Sequence, residues 1–207
     1  METVMYKIAQ ELIQESLPRA ISYKEYRAKV SELAAEGKST GPKQTEALAN
    51  YTVLNDKRMK RFDKTVKIDE ESTTKILEIG KEITFLVLTE SWCGDAAPTL
   101  PVMNKISELN PNISLKILLR DENLELMNHF LTHGTLSIPK LIIIENATGN
   151  VLGDWGPRPS TATEMVQEFK ETFGALTSEF KQDLQMWYNK DKGVTTLKDI
   201  LANLPLK

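Results

Sequence analysis

The sequence predicts an α/β fold in which a core of strands and helices follows a helical extension and precedes a further helix. Three observations carry this reading. The first eighty residues place apolar side chains at helical spacing, with polar breaks between the segments. From residue 81 the runs 83–88, 114–119 and 141–144 are rich in branched and aromatic residues, as buried strands are. Helix-compatible segments alternate with these runs, giving the order β, α, β, α, β, β, α, a pattern that packs helices against a central sheet. At 207 residues, and with roughly 100 to 200 residues per domain, the chain reads as one elaborated domain. It divides into an extension over 1–80, a core over 81–174 and a helical tail over 175–207.

Val4, Ile8 and Leu12, with Met5 and Ala9 beside them, form an apolar stripe until Pro18 ends the first helix. Ser22 and Glu25 have the spacing of a capping box, after which Tyr26, Val30 and Leu33 share a face and Gly37 supplies a left-handed stop. Pro42 can open a third helix, with Leu48, Tyr51, Met59, Phe62 and Val66 on one stripe, and a short fourth occupies 71–79. In the core, strand 83–88 runs at once into Ser91-Trp92-Cys93-Gly94-Asp95 and a helix ending near Leu109. A helix over 121–132 stopping at Gly134, a hairpin turn over 146–150 into Val151–Trp155, and a helix over 161–173 complete the core. An amphipathic segment over 180–188 precedes the C-terminal tail.

Composition narrows the function classes. Twenty-six Lys and Arg against 29 Asp and Glu give a formal charge of -3, which supplies no general attraction for nucleic acid or an anionic membrane. No apolar run approaches the ~18 to 20 residues of a membrane span, and no secretory signal is visible at the N-terminus. The expected address is therefore cytoplasmic. Cys93 is the single cysteine, so an intramolecular disulfide and a multi-cysteine zinc site are both excluded.

Trp92-Cys93-Gly94 sits between a buried strand and a helix, Pro101 lies eight residues further on, and Ser137-Ile138-Pro139 precedes a strand. With the strand order, this resembles the thioredoxin superfamily, specifically a bacterial thioredoxin family protein with a helical N-terminal extension. The resemblance implies a thioredoxin-like three-layer α/β/α core over 81–174. It also implies that Pro139 forms a cis-proline loop beside Cys93, and that the Ile138 backbone aligns an extended substrate. The motif departs from Cys-x-x-Cys: Cys93-Gly94-Asp95-Ala96 has an attacking thiol without a resolving one. Any exchange would be monothiol, a mixed disulfide released by an external thiol such as glutathione. Monothiol glutaredoxins also carry one cysteine here, but their motif continues Phe-Ser rather than Asp-Ala. No resident cofactor is implied.

A cysteine at a helix N-terminus gains ~0.3 to 1 kcal/mol for its thiolate from the helix dipole. Asp95 and Glu90 oppose it by a comparable ~1 to 2 kcal/mol. The expected thiol pKa is therefore near the free value of ~8.5. Trp92, Gly94, Asp95, Ile138 and Pro139 are the candidate binding residues around Cys93. Trp155 and Arg158, on the loop after the last strand, are candidate rim residues, and Arg158 is suited to an anionic group. The simpler accounts put Trp155 in the core, Arg158 in solvent and Asp95 in a helix-stabilising role. Arg120 reaches toward the same face, with Asp121 a helix cap.

His129 and His133 are four apart on one predicted helix, but no third ligand accompanies them, so no metal site is expected. The basic stripe over 57–67 is broken by Asp56 and Asp63 and reads as a solvated helix face. Two functional readings stay open. Cys93 is either the nucleophile of a monothiol disulfide oxidoreductase acting on a protein or small-molecule disulfide, or part of a redox-inactive module that binds a peptide or protein partner. The helical extension packs on the core or on a second copy of the chain.

Overall fold

The computed structural model describes residues 2–204, with side chains over 8–204. Helices α1 (Glu2–Ser16), α2 (Tyr23–Glu36), α3 (Glu46–Thr65) and α4 (Glu70–Leu77) form the extension, with a two-residue strand β1 (Ile21–Ser22) between the first two. The core then runs β2 (Ile83–Thr89), α5 (Ala96–Leu109), β3 (Ile113–Leu119), α6 (Leu124–Asn128), β4 (Lys140–Glu145), β5 (Val151–Trp155) and α7 (Ser160–Phe173). Two further helices, α8 (Ser178–Asp191) and α9 (Val194–Ala202), follow. The sheet order is β1-β3-β2-β4-β5, with β2 parallel to β3 and the other neighbours antiparallel. This is the thioredoxin-like α/β/α arrangement that the sequence predicts, with extra helices at both ends.

Central β2 is buried at every position, which explains its largely apolar run, and its buried Thr84 hydroxyl is paired with Ser114 and Asn146. Each fully buried Leu or Phe there contributes ~1.5 to 3 kcal/mol relative to exposure. The capping box at α2 is present: Glu25 N donates to Ser22 Oγ at 3.2 Å and Ser22 N donates to Glu25 Oε2 at 2.7 Å. Gly37 ends that helix with φ 68. Extension and core share one apolar cluster, in which Tyr26, Met59 and Phe62 pack with the sheet residues.

Several elements differ from the sequence reading. In α1 the buried face carries Ala9 and Ile13, whereas Ile8 is 41% exposed, so the helix is turned by about one position from the predicted stripe; the side chains of Val4 and Met5 lie outside the described residues. The predicted helix over 121–132 shrinks to α6, because Asn123 leaves helical geometry at φ -135 and ψ 44 and its side-chain nitrogen donates to Leu119 O at 2.8 Å. His129 therefore caps α6 while His133, with φ 49, lies beyond it, and the two do not share a helix. Asp121 caps nothing and instead pairs with Arg120 at 2.6 Å. The edge strand β1 is too short to carry a periodic signal, whereas α9, whose Leu197, Ile200 and Leu201 recur at helical spacing and are buried, lies in the segment read only as a helical tail.

Gly193 makes the α8–α9 turn: its φ is 87, and a Cβ there would lie 2.5 Å from Val102 Cγ2 on α5. The close approach brings the tail back over the core. No helix among the described residues is long and apolar enough to cross a membrane.

Candidate functional site

Cys93 lies in the loop between β2 and α5, three residues before the first residue of the helix. The loop is held from beneath by the extension. Ser91 N donates to Thr40 Oγ1 at 2.8 Å, and Thr40 N donates back to Ser91 Oγ at 2.9 Å. From α3, Thr52 Oγ1 lies 2.8 Å from Ser91 Oγ and Asn55 Nδ2 donates to Ser91 O at 2.9 Å. Glu90, fully buried, accepts from the Thr40 hydroxyl and from Asp121 N. Its desolvation raises the carboxyl's pKa despite those donors.

Opposite the loop, the Ile138–Pro139 peptide is cis, as is Gly156–Pro157. Cys93 Sγ donates to the Ile138 carbonyl at 3.2 Å, so the cis-proline loop faces the sulfur across 45 residues of sequence. Gly156, with φ 123, lies against this loop; a Cβ there would overlap the Pro139 carbonyl oxygen. Only glycine lets β5 leave the sheet at this point.

Cys93 is 6% exposed. Burial, reinforced by the Asp95 carboxylate, pushes the thiol from 9.0 up to about 12, although the backbone N–H groups of Ala96 and Asp95 and the Arg158 charge pull the other way. This corrects the value near 8.5 expected from the sequence. A rise of that size is ~4 kcal/mol, well beyond the ~0.3 to 1 kcal/mol of a helix terminus. Desolvation was the missing contribution, since a sequence shows proximity to a helix N-terminus but not what roofs it. The Glu90 carboxylate, turned toward Thr40 and Asp121, is not the acid that opposes the thiolate.

The roof is α8. Tyr188 Oη donates to Asp95 Oδ1 at 3.1 Å, and Arg158 pairs with Asp95 Oδ2 at 2.7 Å. Asp95 is thus 13% exposed and doubly partnered, although burial still leaves its pKa raised. Burial and the neighbouring carboxylate likewise drive the Tyr188 phenol well above its usual range. A cavity of about 360 Å³ opens at the sulfur between α3 and α8, with Trp92, Gly94, Asp95, Ile138 and Arg158 in its lining. Arg120 stacks on Trp92, its guanidinium carbon 5.0 Å from the ring centroid.

Six of the eight residues singled out in the sequence therefore converge: Cys93, Trp92, Gly94, Asp95, Ile138 and Arg158. Pro139 is buried behind Ile138. Trp155, 6% exposed, belongs to the core and to a separate cleft rather than to the rim of this cavity. Arg158 is only partly solvated, because Asp95 holds it. Residues missed in the sequence are Thr40, Thr52, Asn55, Arg58 and Tyr188. Thr52 and Asn55 lie three apart on the buried side of α3, ahead of Met59 and Phe62, so two small polar residues in register with an apolar stripe were the available signal. Arg58 belongs to the stripe read as solvated, yet it lines the cavity, while Asp56 and Asp63 bind Arg27 of α2. No cluster of three or more His, Cys, Asp or Glu placed to hold a metal ion occurs among the described residues.

Comparison with known proteins agrees with this architecture. A crystal structure of PA1234, a protein of unknown function from Pseudomonas aeruginosa, is similar with a TM-score of 0.58 and 20% identity, over 88% of this chain and 96% of that one. An HIV epitope scaffold is similar with a TM-score of 0.56 and 19% identity, over 88% of this chain and 97% of the scaffold. At such identities the likeness concerns the fold. No functionally curated protein matches the chain. A family described as thioredoxin, Thioredoxin_9, matches residues 41–170, which takes in α3 and α4 as well as the core. The match spans more than half of the sequence, and the chain belongs to this thioredoxin family.

Proposed function

We propose that this chain is a thioredoxin-fold binding protein in which Cys93 is held as a neutral, covered thiol, so that the Cys93 face takes a ligand rather than exchanging a disulfide at neutral pH. One observation supports this above the others: the sulfur donates to Ile138 O while α8 covers the same side. In thioredoxins the backbone before the cis-proline pairs with an extended substrate. Here that carbonyl is already engaged and Leu184 and Tyr188 stand in the approach. Exchange proceeds through the thiolate, and a thiol at about 12 leaves on the order of one molecule in 100,000 ionised at pH 7.

A second reading, monothiol exchange, draws support from the cavity at the sulfur, which has room for a small disulfide. In that reaction the Cys93 thiolate attacks one sulfur of the disulfide and expels the other as a thiolate. An external thiol then attacks the mixed disulfide and restores Cys93. Turnover of bis(2-hydroxyethyl) disulfide with glutathione separates the two. The binding reading expects the same rate for the protein and for Cys93→Ser. A rate well above background that vanishes in Cys93→Ser would establish exchange instead.

A further inference from the structure

Among the described residues, three buried side-chain polar atoms lack a partner, and two of them, Arg158 Nε and Gln185 Nε2, belong to residues that line the Cys93 cavity. Native proteins pair nearly all such groups, so two unsatisfied donors around one cavity mark a place where an acceptor is wanting. The charges agree. Arg58, Arg158 and Lys181 line the cavity against one carboxylate, Asp95, which Arg158 and Tyr188 already occupy. Neither Arg58 nor Lys181 forms a salt bridge among the described residues: Arg58 donates to Asn55 Oδ1 at 3.1 Å and feels the Asp95 charge only at a distance, sharing it with Arg158. The walls are otherwise apolar, from Leu48, Trp92, Ile138, Leu176 and Leu184.

We propose that the cavity binds a small organic carboxylate, its apolar body enclosed between α3 and α8 and its carboxylate held by Arg58 and Lys181, with Gln185 as a further donor. The volume of about 360 Å³ lies within the usual range for small-molecule sites, and an apolar lining with a few convergent polar groups is their usual makeup. A neutral ligand would leave both cations without a directly paired acid, and an extended peptide would have to displace α8. The proposal rests on the reading of the Cys93 face as a binding site. It differs in committing to charge and size.

Titration calorimetry of the full chain with decanoate, and separately with decanol, tests it. Decanoate binds with one-to-one stoichiometry and decanol about tenfold more weakly or less. The double variant Arg58→Gln/Lys181→Gln loses about tenfold in decanoate affinity at an unchanged melting temperature. Leu184→Trp, which fills the cavity, removes binding, and the charge variant stands alone if that protein does not fold. Absence of saturable decanoate binding, equal affinity for the alcohol, or indifference to the charge variant overturns the proposal. The disulfide turnover assay judges the parent reading independently: absent turnover together with absent decanoate binding sinks only the carboxylate, whereas Cys93-dependent turnover sinks the parent.

Discussion

Tyr188 on α8 donates to Asp95 at the mouth of α5 at 3.1 Å, joining residues 93 apart in sequence beside the single cysteine. The bond is made to a carboxylate that Arg158 grips from the other side, so it lies in a setting where hydrogen bonds to charge are worth ~1.5 to 3 kcal/mol. Tyr188→Phe should lower stability by ~1 to 2 kcal/mol in urea denaturation and speed alkylation of Cys93, because α8 loses one of its ties over the sulfur. Unchanged alkylation would mean that the roof is held by Phe180 and Leu184 alone.

The Arg158–Asp95 pair should behave as a unit. Arg158→Met strands a mostly buried carboxylate and should cost ~2 to 4 kcal/mol, discounted because Arg158 remains 26% exposed. Adding Asp95→Asn removes the stranded charge and should recover part of the loss. Additive costs in the double-mutant cycle would deny the coupling.

The extension positions the cysteine loop. Asn55→Ala removes the donor to Ser91 O and leaves a buried carbonyl short of a partner, at ~1 to 3 kcal/mol. Hydrogen exchange should then quicken over 90–95 while β4 stays protected. Uniform loss of protection across the sheet would indicate a global effect instead.

Cys93 links stability to alkaline pH. Its folded pKa is raised from 9.0 to about 12, so its contribution is fully present below pH 9 and is lost as pH climbs toward 12. At pH 10 the unfolded thiol has mostly ionised while the folded one has not, a loss of ~1.4 kcal/mol. Cys93→Ser should therefore show a shallower decline between pH 8 and 10 than the native chain. The tyrosines raised chiefly by burial, Tyr23, Tyr26 and Tyr188, add to alkaline loss in both proteins; Tyr23 cancels in the comparison, whereas Tyr26 and Tyr188 also feel Cys93 and lose that coupling in Cys93→Ser, which flattens its decline further.

Much of the fold was legible because local chemistry and global packing agree. The run 83–88 is a strand buried along its length, whose one polar residue, Thr84, is hydrogen-bonded, and Ser22 with Glu25 forms a capping box wherever a helix starts there. The cis-proline loop opposite Cys93 was legible through resemblance, not periodicity. What escaped reading depends on contacts distant in sequence. Tyr188 looks like any amphipathic-helix tyrosine until the Gly193 turn and α9 bring its helix over Asp95. Thr52 and Asn55 look like defects in an apolar stripe until Ser91 appears beneath them. The predicted thiol pKa was too low for the same reason: the sequence places Cys93 near a helix N-terminus, but the desolvation that outweighs it comes from a helix ninety residues away.

The ionisation of Cys93 tests the account most directly. The rate of iodoacetamide alkylation, followed from pH 6 to 10 by mass spectrometry on the native chain, should keep rising without a plateau and should stay far below that of a free thiol at pH 7. A plateau reached below pH 8, with a fast rate at neutrality, would show an exposed thiolate and contradict the covered, neutral sulfur on which the binding reading depends.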